Sequence, residues 1–244
     1  MLKIYPTLVI KGTKLYDEWK SGRYVPYTTE QAAELIAEAK KYVPKWVRIQ
    51  RIQRDIPAHL IEAGVKKSHL RTIVREIMES SGARCKCIRC REVGLTGRLI
   101  RRRLDDVDSF MKRCRLVRES YSASGGTEIF LSYEIQPDDL LVGYARLRFP
   151  SESAHRDELR NGKTAIVREL KVFGGMVELN HTPAGSTEWQ HRGFGRALLS
   201  ECERISADEG YRYLLVNSGI GVKPYYRRLG YNNIGEYVGK ELPT

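Results

Sequence analysis

Gln190-His191-Arg192-Gly193-Phe194-Gly195 stands at the head of a segment, 193 to 209, in which Phe194, Ala197, Leu198, Cys202 and Ile205 fall on one stripe before Gly210. The spacing predicts an amphipathic helix entered through a glycine turn and stopped by a glycine. Backbone N–H groups at such a helix start point outward, the helix dipole adds partial positive charge, and glycines without Cβ let a phosphate approach the main chain. The turn fits a pyrophosphate. A plain loop-to-helix turn is the other reading, since two glycines two apart form a weak pattern alone.

Around that helix the signal is mainly strands: Thr127 to Glu134, Leu140 to Phe149, Thr164 to Phe173 and Tyr213 to Asn217, with Pro137-Asp138-Asp139 joining the first two as a hairpin. A short helix, Lys223 to Leu229, precedes a last strand near Tyr231 to Val238. The order β-β-β-α-β-α-β describes a mixed-sheet α/β domain. Upstream, a strand at Leu8 to Ile10 is followed by a helix from Thr28. There Gln31 completes a capping box, and Ala32, Leu35, Ile36, Ala39 and Val43 recur on one face before Pro44. A strand-like run, Trp46 to Ile52, and a second helix, Lys67 to Ser80, carrying Leu70, Ile73, Val74 and Ile77, end at Gly82. This αβ piece has too few strands for a sheet of its own.

The 244 residues are 41% hydrophobic and 30% charged, with net charge +12; with a mean hydropathy of −0.45, they exclude a membrane-embedded or wholly disordered chain. No run reaches the length of a bilayer span, and Met1-Leu2-Lys3-Ile4-Tyr5-Pro6 lacks the features of a secretory signal, so a cytoplasmic protein without membrane contact is expected. The charge is uneven. Residues 1–118 hold 27 Lys and Arg against 13 Asp and Glu, net +14, whereas residues 119–244 hold 15 against 17, net −2. Basic side chains displace counterions from a polyphosphate, so the first half reads as the nucleic-acid-facing half, although a merely basic surface would look the same.

Cys85, Cys87 and Cys90 have C-x-C-x-x-C spacing in a segment that also carries Arg84, Lys86, Arg89 and Arg91. Thiolates this close can wrap one tetrahedral ion, and Zn2+ is the ion most often held this way in the cytosol. Cys114, His59 or His69 would supply a fourth ligand. An iron–sulfur cluster is the sharper alternative, and three free thiols on a basic loop the plainer one. The C-x3-C-x2-C spacing of radical S-adenosylmethionine chemistry is absent from these residues. Cys202, on the apolar face of its helix, reads as core.

The pattern Q/R-x-x-G-x-G/A after the long strand Val167-Arg168-Glu169-Leu170-Lys171-Val172-Phe173 resembles the acetyl-CoA signature of the GCN5-related N-acetyltransferase (GNAT) superfamily. The resemblance runs from roughly residue 95 to the C-terminus. It implies that the strand's backbone pairs with pantetheine amides and splays from the next parallel strand to form a V-shaped slot. The cofactor-binding set is then Leu170, Val172, Gln190, His191, Arg192, Gly193, Phe194, Gly195 and Tyr225. Tyr225 or Tyr226, one of them structural, would protonate the departing CoA thiolate. Glu169 would orient a water or accept a proton, unless it is simply solvated or paired.

The whole chain resembles the C-terminal part of the Elp3 family, the catalytic subunits of Elongator and their archaeal and bacterial relatives. The matching motifs include Tyr5-Pro6-Thr7-Leu8-Val9-Ile10-Lys11-Gly12-Thr13, Ile52-Gln53-Arg54-Asp55-Ile56-Pro57, Arg89-Cys90-Arg91-Glu92-Val93-Gly94 and Phe130-Leu131-Ser132-Tyr133-Glu134. Further matches are Val167-Arg168-Glu169-Leu170 and Ser218-Gly219-Ile220-Gly221-Val222-Lys223-Pro224-Tyr225-Tyr226. The resemblance implies a C-terminal portion of a radical S-adenosylmethionine domain over 1–80, a cysteine-rich zinc-binding linker over 81–100 and an acetyltransferase domain over 101–244. It further implies acetyl-CoA-dependent carboxymethylation at C5 of the tRNA wobble uridine. S-adenosylmethionine and a [4Fe-4S] cluster are expected only in a full-length protein. The residues present would then bind acetyl-CoA and tRNA and hydrolyse or transfer acetyl when tRNA is present, with Elongator-type subunits as further partners. A protein lysine acetyltransferase and a non-catalytic tRNA-binding scaffold are the alternatives.

The tRNA-binding candidates are Arg84, Lys86, Arg98, Arg101, Arg102 and Arg103. Replacing Arg101, Arg102 and Arg103 together by Ala is expected to weaken tRNA binding and to flatten the slope of log K against log salt by roughly 2 to 3, as loss of three phosphate contacts requires. Filter binding over a salt series measures that slope.

Overall fold

The computed structural model describes residues 1–94, 112–160, 162–173 and 193–243. They form two compact units, Met1–Arg91 and Glu92–Thr244.

In the first unit, β1 (Leu2–Lys3), β2 (Val9–Ile10) and α1 (Lys14–Lys20) precede α2 (Thr29–Lys41), β3 (Ile49–Arg51), β4 (Ile61–Ala63), α3 (Leu70–Ser80) and a short α4 (Ile88–Arg91). β1 pairs with β3 in parallel and β2 with β4 antiparallel, two ribbons of two strands each. The capping box is in place at the start of α2. The Gln31 N–H donates to Thr28 Oγ1 at 3.2 Å, and the Thr28 N–H donates to Gln31 Oε1 at 3.0 Å, satisfying two helix-start donors. The buried face differs from the expected one, running through Ala32, Ala33, Ile36, Ala37 and Lys40, while Leu35 is 55% exposed. The three alanines let α2 approach α3 closely, and Leu70, Val74 and Met78 of α3 complete the core with Ile49 and Cys87.

The second unit is built on a seven-stranded sheet in the order β10-β11-β9-β8-β7-β6-β5. Its elements are β5 (Cys114–Ala123), β6 (Gly126–Ile135), β7 (Leu140–Phe149), α5 (Asp157–Arg160), β8 (Thr164–Val172), α6 (Phe194–Asp208), β9 (Tyr213–Val216), α7 (Lys223–Arg227), β10 (Asn232–Ile234) and β11 (Tyr237–Glu241). Only β8 and β9 run parallel; the other neighbours are antiparallel. α6 covers one face. Its Leu198, Leu199, Cys202 and Ile205 pack with Ala145, Leu147, Ala165, Val167, Leu214 and Val216. This is the mixed-sheet α/β domain expected from the sequence.

Two departures have physical causes. β5 carries Arg115, Arg118 and Glu119 on an edge with no buried residue, so it shows no apolar alternation to read. Its signal is the turn: Ser124 (φ 45°) and Gly125 (φ 70°) are a two-residue hairpin loop with both φ values positive. The last strand is two, β10 and β11, reversed at Gly235 (φ 55°).

In the first unit, Ile36→Ala is expected to cost about 2–5 kcal/mol, as for a large-to-small change in a filled core. The neighbouring Leu35→Ala should change stability by no more than about 0.5 kcal/mol. Denaturant unfolding of the two variants separates the observed helix face from the expected one.

Candidate functional site

β8 and β9 share a ladder only from Thr164–Tyr213 to Val167–Val216, and the Asn217 N–H donates to the Val167 carbonyl at 2.9 Å at its end. Beyond that point β8 continues to Val172 beside β7. The register steps from Arg146–Glu169 to Leu147–Val167, so Arg168 is an extra residue, a bulge at the fork. The Phe173 N–H donates to the Val142 carbonyl at 2.8 Å. By strand alternation, Lys171 and Glu169 also turn their main-chain groups toward β7, whereas Leu170 and Val172 turn theirs away from it.

The glycine turn faces this strand end. Gly193 caps α6 in the left-handed region (φ 82°) with no side chain capping the helix start, and a Cβ there would meet nothing within 4 Å. A Cβ on Gly195 would lie 3.3 Å from Tyr225 Oη and 3.8 Å from Val172 Cγ2. The start of α6, the end of β8 and the Tyr225 hydroxyl therefore meet at one place.

The two neighbouring tyrosines part company because successive helical residues point about 100° apart. Tyr226 is 6% exposed, packed in the core below α6, and burial pushes its hydroxyl up to about 12. Burial also pushes Tyr225 up, opposed by the positive charges of Arg196 and Arg228. Tyr226, read beside Tyr225 as a proton donor, is thus a core residue. Glu169 is committed to a clamp: Tyr144 Oη donates to its Oε1 at 2.5 Å and Arg146 Nε to its Oε2 at 3.0 Å, while Arg146 Nη1 donates to Tyr121 Oη at 3.1 Å. Tyr144, Arg146 and Asn217 were not singled out from the sequence. An alternating strand shows which residues share a face, but not which strand lies alongside.

In the first unit the sulfurs of Cys85, Cys87 and Cys90 lie within 4.8 Å of one another. Cys87 accepts hydrogen bonds from the other two thiols and from the backbone N–H groups of Cys90 and Ile49, which hold its thiol far below the usual range; Cys85 and Cys90 are raised in turn. Among the described residues, neither His59 nor His69 joins this group. Arg84 and Lys86 flank it, exposed. Gln190, His191 and Arg192, and Arg98, Arg101, Arg102 and Arg103, lie outside the described residues. No described helix is long and apolar enough to cross a membrane.

Residues 1–80 match the Radical_SAM C-terminal domain family and residues 186–241 the acetyltransferase (GNAT) domain family. A tRNA uridine(34) acetyltransferase of Methanocaldococcus infernus is 51% identical over 243 residues, which are 99% of this chain and 44% of that protein. Human Elongator complex protein 3 is 44% identical over 242 residues, 99% of this chain and 42% of that protein. The solved structure of archaeal Methanocaldococcus infernus Elp3 with an N-terminal deletion matches with a TM-score of 0.86 at 51% identity, covering 98% of this chain and 55% of that one. The chain spans less than half the length of these curated relatives.

Because the Tyr226 hydroxyl is raised to about 12 in the folded state, against about 10 in an unfolded chain, its contribution to stability is intact below pH 10 and is lost as the pH rises toward 12. Tyr226→Phe should reduce the alkaline loss of stability in that window, measured by thermal unfolding between pH 8 and 12.

Proposed function

The chain is homologous to part of Elongator complex protein 3 and the tRNA uridine(34) acetyltransferases, and on that premise we propose that its second unit draws acetyl groups from acetyl-CoA in response to bound tRNA. The observation that carries this reading is the meeting of α6, the end of β8 and the Tyr225 hydroxyl around Gly195.

The geometry fits the cofactor. Unprotected N–H groups at the start of α6 suit a pyrophosphate, with open space over Gly193 where a side chain would otherwise stand. The main-chain groups of Leu170 and Val172, turned away from β7, suit the two amides of pantetheine, which would add to β8 as a short strand does. Gln190, His191, Arg192 and Phe194 belong to the same turn in sequence and complete the set we assign to acetyl-CoA. Acetyl-CoA supplies the two-carbon unit as a thioester. The chain's part is to hold that thioester still and to manage one proton. As water or another acceptor adds to the carbonyl and the C–S bond breaks, the departing sulfur would take the proton of Tyr225, kept on the hydroxyl by burial. The phenolate would be reprotonated by the proton that the acceptor loses. Glu169, with both oxygens engaged, acts by clamping β8 to β7 beside the bulge rather than by taking a proton.

The acceptor we assign is tRNA, at a uridine, because the relatives are named for it and residues 1–118 carry a net charge of +14. Carboxymethylation at C5 of that base would need, in a longer protein, a half that binds S-adenosylmethionine and a [4Fe-4S] cluster. The three sulfurs of Cys85, Cys87 and Cys90 fit a thiophilic divalent ion, and we assign them Zn2+ in a structural role. Hydrogen bonds from the Cys85 and Cys90 thiols, and after them from the backbone N–H groups of Cys90 and Ile49, lower the Cys87 thiol, which suits it to a metal ion.

Acetyl-CoA hydrolysis by the chain, followed by thiol release, should rise on addition of tRNA. Tyr225→Phe should lower the stimulated rate by about 10²-fold or more while acetyl-CoA affinity stays within a few-fold. Turnover indifferent to tRNA, with acetyl-lysine forming on a peptide, would overturn the acceptor.

A further inference from the structure

On the face of the sheet opposite α6, a cavity of about 540 Å3 lies over the fork between β8 and β9. Its walls include Arg148 of β7, the bulge residue Arg168, Asn217 at the end of the β8–β9 ladder, Ser153 and His155 of the loop after β7, and Tyr237 of β11. Among the described residues no carboxylate lines it. Behind the two arginines, Glu128 is 1% exposed and ties them together. Arg168 Nη1 donates to both its oxygens at 3.1 and 3.2 Å, Arg148 Nη1 donates to Oε2 at 3.3 Å, and Arg148 Nη2 donates to the Ser124 carbonyl at 3.2 Å. Two guanidinium groups share one carboxylate, so the wall keeps a surplus positive charge in a fixed place. Arg168 uses only Nη1 among the described residues, and the side chains of Ser153, His155, Asn217 and Tyr237 donate to and accept from no described protein group.

We propose that this cavity binds a single nucleotide of the RNA acceptor, its phosphate on Arg168 and Arg148 and its base edge on Asn217. The volume lies in the range of small-molecule sites. The carboxamide of Asn217 offers one donor and one acceptor side by side, the complement of the carbonyl and imide N–H that uracil presents. Tyr237, which has the Arg156 guanidinium over its ring at 5.9 Å, offers its other face for the base to stack on. The position matters as much as the chemistry. Arg168 and Asn217 stand where β8 leaves β9, so a nucleotide here reaches the fork from one face of the sheet while Leu170 and Val172 border it further along the same strand. The acceptor role rests on the proposed acetyl-CoA reading; the nucleotide site itself does not.

Titration of the whole chain with uridine 5′-monophosphate, followed by amide NMR shifts and calorimetry, tests both parts, with uridine and inorganic phosphate as comparison ligands. Uridine 5′-monophosphate is expected to shift the amides of Ser151 to His155, Asn217 and Tyr237. Uridine and phosphate alone should each bind at least tenfold more weakly. Arg168→Ala, whose side chain is half exposed and leaves Arg148 on Glu128, should weaken the nucleotide at least tenfold with acetyl-CoA affinity within twofold. Asn217→Ala should weaken it without altering phosphate binding. Shifts confined to other residues, an unchanged affinity in Arg168→Ala, or phosphate binding as tightly as the nucleotide would each overturn the proposal. Acetyl-CoA is titrated separately. If it binds at Gly193 and the nucleotide fails, the cavity assignment falls alone; if the nucleotide binds here and acetyl-CoA does not bind, the transferase reading falls and the cavity stands.

Discussion

A β-sheet leaves few main-chain groups unpaired in its interior, and the second unit depends on a place where two neighbouring strands part. After Val167, β8 and β9 stop sharing hydrogen bonds, although β8 runs on for five residues. Peptide groups that leave a ladder need water or a ligand as partners, and past Val167 β8 is exposed or half-buried, so the fork is open to either. The bulge at Arg168 sets which residues face the fork. One extra residue shifts the alternation of β8, so Leu170 and Val172, rather than Glu169 and Lys171, carry the main-chain groups turned from β7.

The fork is braced on the face away from α6 by two charge clusters. Glu169 is held by Tyr144 and Arg146, and Glu128 by Arg148 and Arg168. Both clusters cross strands, and both use an arginine of β7. An arginine presents several donors in a fixed plane and loses little further freedom once bound, which makes it suited to fixing a strand whose own ladder is incomplete on one side. The opposite face has no such need. There Leu198, Cys202 and Ile205 of α6 press on Ala145, Leu147, Ala165 and Val167, and packing alone sets the geometry.

What could be read from the chain beforehand follows from the range of each signal. The start of α2 was legible because Thr28 and Gln31 act within one turn, and α6 was legible because Phe194, Leu198, Cys202 and Ile205 repeat at helical spacing before Gly210. The face of α2 was misjudged at Leu35 because a leucine reads as apolar wherever it stands. What buries a helix face is the partner, and α3 accepts alanines where a larger side chain would hold it off. β5 was missed because an edge strand half in water has no pattern to show. The site was legible in the same measure. Gly193, Gly195 and the tyrosine pair announced a helix turn and a neighbouring hydroxyl; which tyrosine faces the turn was a matter of helix phase. Glu128, Arg148 and Arg168 meet across three strands, and no local spacing encodes such a meeting.

The same logic separates the two ends of the chain's chemistry. In the first unit, Cys87 depends on neighbours only two or three residues away in sequence and on one N–H brought by β3 at Ile49. Such a cluster can form wherever that short loop folds, so its sequence spacing is nearly its whole description. In the second unit, Tyr225 meets Gly195 and Val172 only after a seven-stranded sheet has been assembled in order. A binding site made of turned main-chain groups demands that order. It places few constraints on side chains and many on strand register, which is why the fold rather than a run of polar residues carries its specificity.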